Sequence, residues 1–126
     1  MTIQQAIEMT DAQKPNGYSD KDKIHWLDKL DRVIWETVII THEDAPEEAF
    51  EGYTEETDLD TELLAEEAYS DLYIKWLGAQ IDYANQEIQR YNNSATMFGS
   101  LMNEYRKDYN RKHRPVRNPY IKGVRA

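Results

Sequence analysis

The sequence predicts an all-α fold, a small helical bundle of about four helices with a long helical hairpin, an acidic loop and an extended C-terminal arm. Apolar residues recur at spacings of three and four along most of the 126-residue chain, which is the period of an amphipathic helix. Helix-start signals precede these segments. The chain has no cysteine, which excludes a disulfide scaffold and a thiolate site. We assign a helical domain to residues 1–113 and the arm to residues 114–126.

Two helices are predicted in residues 1–41. Thr2 and Gln5 have the spacing of a capping box, and the amphipathic helix that follows ends before Pro15. Ser19 begins the second helix, whose predicted core residues are Ile24, Trp26, Leu27, Leu30, Val33, Ile34 and Val38. Residues 35–41 are rich in β-branched side chains, which also suit an extended chain, but the unbroken periodicity favours a helix.

An acidic loop is predicted at residues 42–67. This segment contains twelve Asp or Glu and no Lys or Arg, and Pro46 and Gly52 interrupt it. A loop of this length inside a small domain is usually either functional or flexible. Phe50, Tyr53 and Leu59 are expected to pin the loop to the body, and Leu63 and Leu64 to dock at the entrance to the third helix.

The helical hairpin is predicted in residues 68–115, which hold six of the nine tyrosines. Its first apolar stripe contains Tyr69, Leu72, Tyr73, Trp76, Leu77, Ala84, Ile88 and Tyr91, and its second contains Phe98, Leu101, Met102, Tyr105 and Tyr109. The short polar side chains of Asn92, Asn93 and Ser94 accept hydrogen bonds at helix starts, so we place the turn between the stripes there. The basic residues that follow suit a helix C-terminus, and Pro115 prevents the helix from continuing.

Charge divides the chain into two parts. Residues 1–105 carry 23 acidic and 7 basic side chains, whereas residues 106–126 carry one acidic and eight basic side chains. An acidic body repels phosphates, but a basic tail binds either phosphates or an acidic protein surface. The arm is therefore either a solubilising tail or a recognition arm. In the second case its predicted partner-binding residues are Arg114, Arg117, Tyr120, Ile121, Lys122 and Arg125.

Catalytic and metal-binding patterns are weak in this sequence. His25, His42 and His113 are scattered, without a second ligand at helical spacing. Residues 58–62 resemble the opening of a calcium loop, but Leu63 stands where that loop needs glycine. No nucleophile is paired with a base, no glycine-rich phosphate loop occurs, and no apolar run approaches the roughly 20 residues of a membrane span. We therefore expect no enzymatic activity, no cofactor, no metal and no membrane segment.

Two sequence blocks resemble the head-to-tail connector proteins of tailed bacteriophages and related prophages, which are also called head completion or adaptor proteins. The first block is AIEMTDAQKPNGYSDKDKIHWLDKLDRVIWETVI, and the second is DLYIKWLGAQIDYANQEIQRYNNSATMFGSLMNEYRKDYNRKHRP. Together they cover roughly two thirds of the chain. Members of that family tend to have proline before the second block, where this chain has Ala65, Glu66 and Glu67.

The resemblance implies a virion protein that assembles as a ring, commonly of about twelve copies, below the portal of the filled capsid. The ring would extend the DNA channel, through which DNA passes without sequence-specific binding, and would carry a tail-side completion or stopper protein. The arm would reach toward the portal or a neighbouring subunit. The protein would be made in the host cytoplasm and end at the head-to-tail junction of the virion. The residues alone leave one alternative, a small helical nucleic-acid-binding, packaging or regulatory protein that uses its basic arm.

Overall fold

Four α-helices form the structure, a computed structural model that describes residues 1–116, and the predicted all-α bundle is confirmed. The helices are α1 (Ile3–Gln13), α2 (Asp20–Ile34), α3 (Asp71–Ala84) and α4 (Ile88–Lys112). α3 and α4 form a helical hairpin, and α1 and α2 pack against α3. Within residues 1–116, β-pairing is limited to two isolated bridges, one between Thr2 and Glu62 and one between His42 and Pro115.

The capping box at the start of α1 is confirmed. The Gln5 N–H donates to the Thr2 hydroxyl at 3.1 Å, and the Thr2 N–H donates to the Gln5 side-chain oxygen at 3.0 Å. The acidic loop covers the same helix end, because the Ile3 N–H donates to the carbonyl oxygen of Thr61 at 3.0 Å. These bonds satisfy N–H groups that a helix start leaves free, and the last of them ties the loop to α1.

The core face of α2 follows the prediction with one exception. The Asp22 N–H donates to the Ser19 side chain at 3.2 Å, which is the expected cap. The buried members of the predicted core set are Ile24, Leu27, Leu30, Ile34 and Val38. Trp26 is half-buried, but Val33 is 46% exposed, so its assignment to the core is wrong. The inward position is taken by the fully buried Asp31, because helical spacing places it on the same face as Leu27 and Ile34.

The chain leaves α2 through a π-helical turn, Trp35–Ile39. The Ile40 N–H donates to the Trp35 carbonyl at 3.0 Å, a bond from residue i+5 to residue i where an α-helix has i+4 to i. This end of the second helix is therefore helical, as its periodicity indicated, but wider than an α-helix. The wide turn buries Val38 and Ile39 together, and the chain enters the acidic loop with His42 buried.

The turn of the helical hairpin lies at residues 85–87, so its predicted position at Asn92–Ser94 is wrong. α3 ends with a Schellman-type bond in which the Glu87 N–H donates to the Asp82 carbonyl at 2.9 Å. Residues 92–94 lie inside α4, where the Ser94 hydroxyl donates to the Asp82 carboxylate across the hairpin at 3.1 Å. The polar cluster resembled a helix start, but its serine has a partner on the facing helix.

The position of the turn also divides the first predicted stripe between two helices. Its buried members, all on α3, are Leu72, Tyr73 and Leu77, whereas Ala84 and Ile88 beside the turn are exposed. The second stripe is closer to the prediction, since Met102 and Tyr105 are buried and Phe98, Leu101 and Tyr109 pack against the core. A short 3-10 turn, Glu67–Tyr69, precedes α3, so the helix begins at Asp71 and not at the start of the predicted hairpin.

We expect Gln86→Gly to raise the free energy of unfolding by up to about 1 kcal/mol. Gln86 is exposed and has a φ of 60°, in the left-handed region where a Cβ atom costs roughly 1 kcal/mol and glycine costs less. Urea unfolding measures the difference. The control is Glu104→Gly on the exposed face of α4, which should lower stability by about 1 kcal/mol. Equal losses in both variants would contradict the assigned turn.

Candidate partner-binding site at the base of the C-terminal arm

The base of the arm is fastened to the start of the acidic loop. After α4 the chain runs antiparallel to the residues that lead into the loop. The Glu43 N–H donates to the Arg114 carbonyl at 2.9 Å, and the Val116 N–H donates to the Thr41 carbonyl at 2.8 Å. The arm therefore leaves the body from a fixed position, and not from the loose end of a helix.

Three rings that pack together support this contact. His42 is buried; its Nδ1 donates to the Val38 carbonyl, and its Nε2 lies 2.7 Å from the side-chain amide of Asn110. The Tyr109 ring meets the His42 ring edge-on with 4.7 Å between centroids, and it stacks on the His113 ring at 3.9 Å. The rings join the last turn of α4 to the first residues of the loop.

A hydrogen bond between a histidine and a carboxylate lies at the edge of the same contact. The His113 imidazole bonds to the Asp44 carboxylate and holds the pKa of Asp44 below its usual value. A lowered carboxyl pKa gives a contribution to stability that is present above the usual pKa and is lost as the pH falls through the folded-state value. Because Asp44 is exposed, solvent screens this pair, and the hydrogen bonds and rings hold the base of the arm.

The basic residues at the end of α4 have partners inside the domain. Lys112 lies 2.8 Å from the Asp108 carboxylate and 3.1 Å from Glu66 of the acidic loop, and Arg111 lies 3.1 Å from Asp108. The pairing with Lys112 lowers the pKa of Asp108, and the pairing with Asp108 raises the pKa of Lys112. These cations offset the negative end of the helix dipole and the charge of the loop, and they are not free for a partner.

Of the six predicted partner-binding residues, only Arg114 lies in the part of the chain that the structure describes. Its side chain is exposed and forms no ion pair with any residue from 1 to 116. Arg117, Tyr120, Ile121, Lys122 and Arg125 lie outside the described residues. Their role stays a prediction, while the base from which they extend is defined.

The buried carboxylate of Asp31 anchors the middle of the acidic loop. The hydroxyl of Tyr53 and the N–H of Leu64, both in the loop, donate to it, the second at 3.0 Å. The Tyr73 hydroxyl on α3 donates to it at 2.7 Å. One side chain of α2 therefore holds the loop and α3 in a fixed relation.

The apolar residues predicted to pin the loop or to dock at the third helix also contact the body, as expected. Tyr53 and Leu63 are buried, and Phe50, Leu59 and Leu64 are partly buried against the core. Gly52 has a φ of 85°, in the left-handed region that favours glycine, and its backbone lies close to the side chains of Arg32 and Asp28. A larger residue at this position would strain the backbone and displace the Arg32 guanidinium. The acidic loop is thus an ordered surface of the domain.

Burial shifts the pKa of Asp31 and of the two tyrosines that donate to it. Desolvation raises the pKa of Asp31, and the bonds from Tyr53, Leu64 and Tyr73 oppose that rise only in part. Burial and the nearby carboxylate raise the pKa of the hydroxyls of Tyr53 and Tyr73. Both tyrosines therefore keep their protons and remain donors to Asp31.

We expect the Asp31 carboxyl to make the protein less stable as the pH rises. The folded state holds this proton to a higher pH than the unfolded state does, so the contribution is full below the usual carboxyl pKa and is lost as the pH rises through the folded-state pKa. Urea unfolding from about pH 4 to about pH 8 should therefore show the stability of the wild type falling relative to Asp31→Asn, which cannot titrate. A constant difference would contradict a raised pKa at this site.

The role of Asp31 was missed from the sequence, although a signal was present. Asp28 and Asp31 lie on the apolar face of α2 among Leu27 and Ile34, where a charged side chain requires hydrogen-bond partners. Those partners come from residues 22 and 42 positions away in the chain. No local sequence pattern identifies these partners. The sequence could therefore indicate Asp31 as an unusual acidic position on α2, but not the groups that bond to it.

Other kinds of site find little support in residues 1–116. In this range no group of three or more His, Asp or Glu side chains is placed to hold a metal ion. No helix of the described chain is both long and apolar enough to cross a membrane. Three surface grooves in this range have similar volumes: about 320 Å³ beside Lys21 and His25, about 300 Å³ beside Trp35 and Phe50, and about 280 Å³ beside Met1.

Comparisons of the chain with protein-family models, with curated proteins and with solved structures find no match.

Proposed function

We propose that the protein is a structural subunit of the head-to-tail connector of a tailed bacteriophage or prophage. In this role it assembles as a ring of about twelve copies on the portal, extends the DNA channel and carries a tail-side completion or stopper protein. The two sequence blocks suggest the family. The observation that carries the proposal is the fastened base of the arm, which presents a basic segment at a defined position on an acidic body.

The body and the arm have net charges of opposite sign, which supports a different role for each. An acidic body repels phosphates, so DNA in a channel lined by such bodies passes without binding to them. The arm carries the opposite charge and so attracts acidic surfaces of the portal or of a neighbouring subunit. Its proposed contact residues are Arg114, Arg117, Tyr120, Ile121, Lys122 and Arg125.

The alternative, a nucleic-acid-binding protein, has less support. A binder needs unpaired Lys and Arg side chains along one surface. Arg111 and Lys112 next to the arm are instead paired with Asp108 and Glu66. The remaining bases of the arm would have to bind phosphates beside a loop of twelve acidic residues, which repels them.

The proposal is tested by mixing the purified chain with the portal protein encoded in the same phage or prophage genome. Size-exclusion chromatography with light scattering should show many copies of the chain on each portal ring. A free chain that is monomeric on its own is compatible with the proposal. A chain that elutes apart from the portal at every mixing ratio would overturn it.

The same material tests the alternative. The connector account expects weak or no binding of the chain to duplex DNA. Binding that falls steeply with salt concentration, disappears on deletion of residues 114–126 and is accompanied by no portal complex would establish the nucleic-acid-binding function instead.

A further inference from the structure

The groove beside Trp35 and Phe50 has properties that the proposed function does not use. We call it the acidic groove and define it by Trp35, Glu48, Phe50, Glu51, Tyr53 and Glu62. Its volume of about 300 Å³ is enough for one or two large side chains of a bound peptide. The hydrogen bonds of Tyr53 to α2 keep one side of the groove in place.

The floor of the acidic groove is aromatic. The rings of Trp35 and Phe50 stack with 6.1 Å between centroids, and Phe50 meets Tyr53 edge-on at 5.3 Å. Trp35 and Phe50 are only partly buried, so their outer faces remain in contact with water. Such a floor favours a ligand that brings an apolar or aromatic side chain.

The rim of the acidic groove is negative. Glu48 and Glu51 are exposed, and neither forms an ion pair with any other residue in the range 1–116. Glu62 lies 3.1 Å from the terminal amine of Met1. Arg32 lies over the Phe50 ring at 5.9 Å, but it is paired with Asp28 at 2.9 Å. The rim therefore selects a ligand with positive charge beside its apolar group.

We propose that the acidic groove binds residues 117–126 of a second copy of this chain. That segment, RNPYIKGVRA, combines one aromatic residue, Tyr120, and the aliphatic residues Ile121 and Val124 with three basic residues. In an extended peptide alternate side chains face the same way, so Tyr120 on the aromatic floor would bring Lys122 to the rim with Glu48 and Glu51. The inference rests on the proposed function and deepens it, because it names the contact that joins neighbouring subunits of the ring.

Charge and the proposed ring favour a second copy as the source of the segment. In a ring each groove has a neighbouring copy beside it, and the arm of that copy carries the positive charge that complements the acidic rim. A contact between the arm of one copy and the groove of the next is heterologous, the kind of interface that closes into rings.

The test uses the full chain labelled with ¹⁵N and a synthetic peptide of residues 114–126. Adding the peptide should shift the indole signal of Trp35, identified by its absence in Trp35→Phe, and the amide signals of residues 48–53. The indole signals of Trp26 and Trp76 should not move. Binding should weaken as salt is added, because charge contributes to it.

Two kinds of variant control for specificity. The peptide with Tyr120→Ala and Lys122→Glu should cause no shift, and Glu48→Lys with Glu51→Lys in the chain should abolish binding by the original peptide. The matched control is Glu104→Lys with Glu8→Lys, which reverses two exposed acids outside the groove and should leave binding unchanged. No shift at Trp35 with any peptide concentration, or equal binding to the groove variant, would overturn the proposal.

A chain that ends at residue 116 tests whether the arm in the groove comes from the same chain or from a second copy. It retains every buried core residue that the structure describes, and circular dichroism checks its helix content. If a second copy supplies the arm, the dilute full chain and the shortened chain bind the peptide equally. If the peptide binds only the shortened chain, the arm occupies its own groove and the proposal is wrong. None of these measurements involves the portal, so their failure is separate from a failure of the connector function, which the portal mixture reports.

Discussion

Replacing Asp31 with alanine is expected to lower the free energy of unfolding by about 3 kcal/mol. The change leaves the buried donors of Tyr53, Leu64 and Tyr73 without an acceptor, and each buried unsatisfied group costs about 1–3 kcal/mol. Removing a desolvated carboxylate offsets part of that loss, so the three costs do not simply add. Urea unfolding at neutral pH measures the difference.

The variants around Asp31 separate its hydrogen bonds from its charge. Tyr53→Phe should cost roughly 1 kcal/mol, since it removes one donor to Asp31 and leaves the others. Tyr73→Phe should cost more, since it also removes the acceptor of the buried Ala65 N–H. Glu104→Ala, which removes an exposed acid of α4, should change stability by less than about 0.5 kcal/mol. If Asp31→Ala were as stable as Glu104→Ala, the loop would have another anchor.

Reversing two charges of the arm, Arg117→Glu with Lys122→Glu, is expected to abolish the complex with the portal. The domain should stay folded, because the buried core residues that the structure describes lie between Met1 and Tyr105, and none of the described contacts involves these two side chains. Complementary charge guides such an association, and like charges placed opposite each other cost several kcal/mol. Light scattering of the chain and portal mixture measures the loss, and thermal unfolding measures the fold.

A matched variant tests whether the change in net charge alone would abolish the complex with the portal. Lys29→Glu with Arg90→Glu makes the same change in net charge on exposed positions of α2 and α4, far from the arm in sequence. This variant should still join the portal. If both double variants lost the complex to the same extent, the arm would have no special role in assembly.

The elements fixed by local chemistry were predictable from the sequence. Thr2 and Gln5 cap α1 within one helical turn, and Ser19 caps α2 in the same way. The residues that form each sequence motif are therefore also the residues that make the capping hydrogen bonds. The loop residue Tyr53 was also identified correctly, because a large aromatic residue in an acidic segment has few ways to avoid water.

The errors arise where distant residues decide the structure. The hairpin turn was placed at Asn92–Ser94 because their side chains suit a helix start, but Ser94 bonds to Asp82 on the facing helix. Val33 was assigned to the core by its apolarity, whereas Asp31 occupies the buried position because two tyrosine hydroxyls from other elements reach it. Hydrophobic periodicity detects neither the hydrogen-bond partner of Ser94 nor those of Asp31.

The candidate site was predicted in part. Composition identifies the basic arm as a candidate recognition segment and residues 42–67 as an acidic loop, and the junction at Glu43 and Arg114 brings the ends of both segments together. The rings of His42, Tyr109 and His113 that support the junction could not be predicted, because they come from the loop and from α4, which are 67 or more residues apart. Only the fold places them side by side.

Electron microscopy of the chain mixed with the portal of the same genome tests the central claim most directly. The connector account expects class averages with a second ring on the axis of the portal, built from about twelve copies of the chain, around an open channel. The same images with Arg117→Glu and Lys122→Glu should show the portal alone. A bare portal with the unaltered chain, at concentrations where both proteins are folded and soluble, would contradict the account.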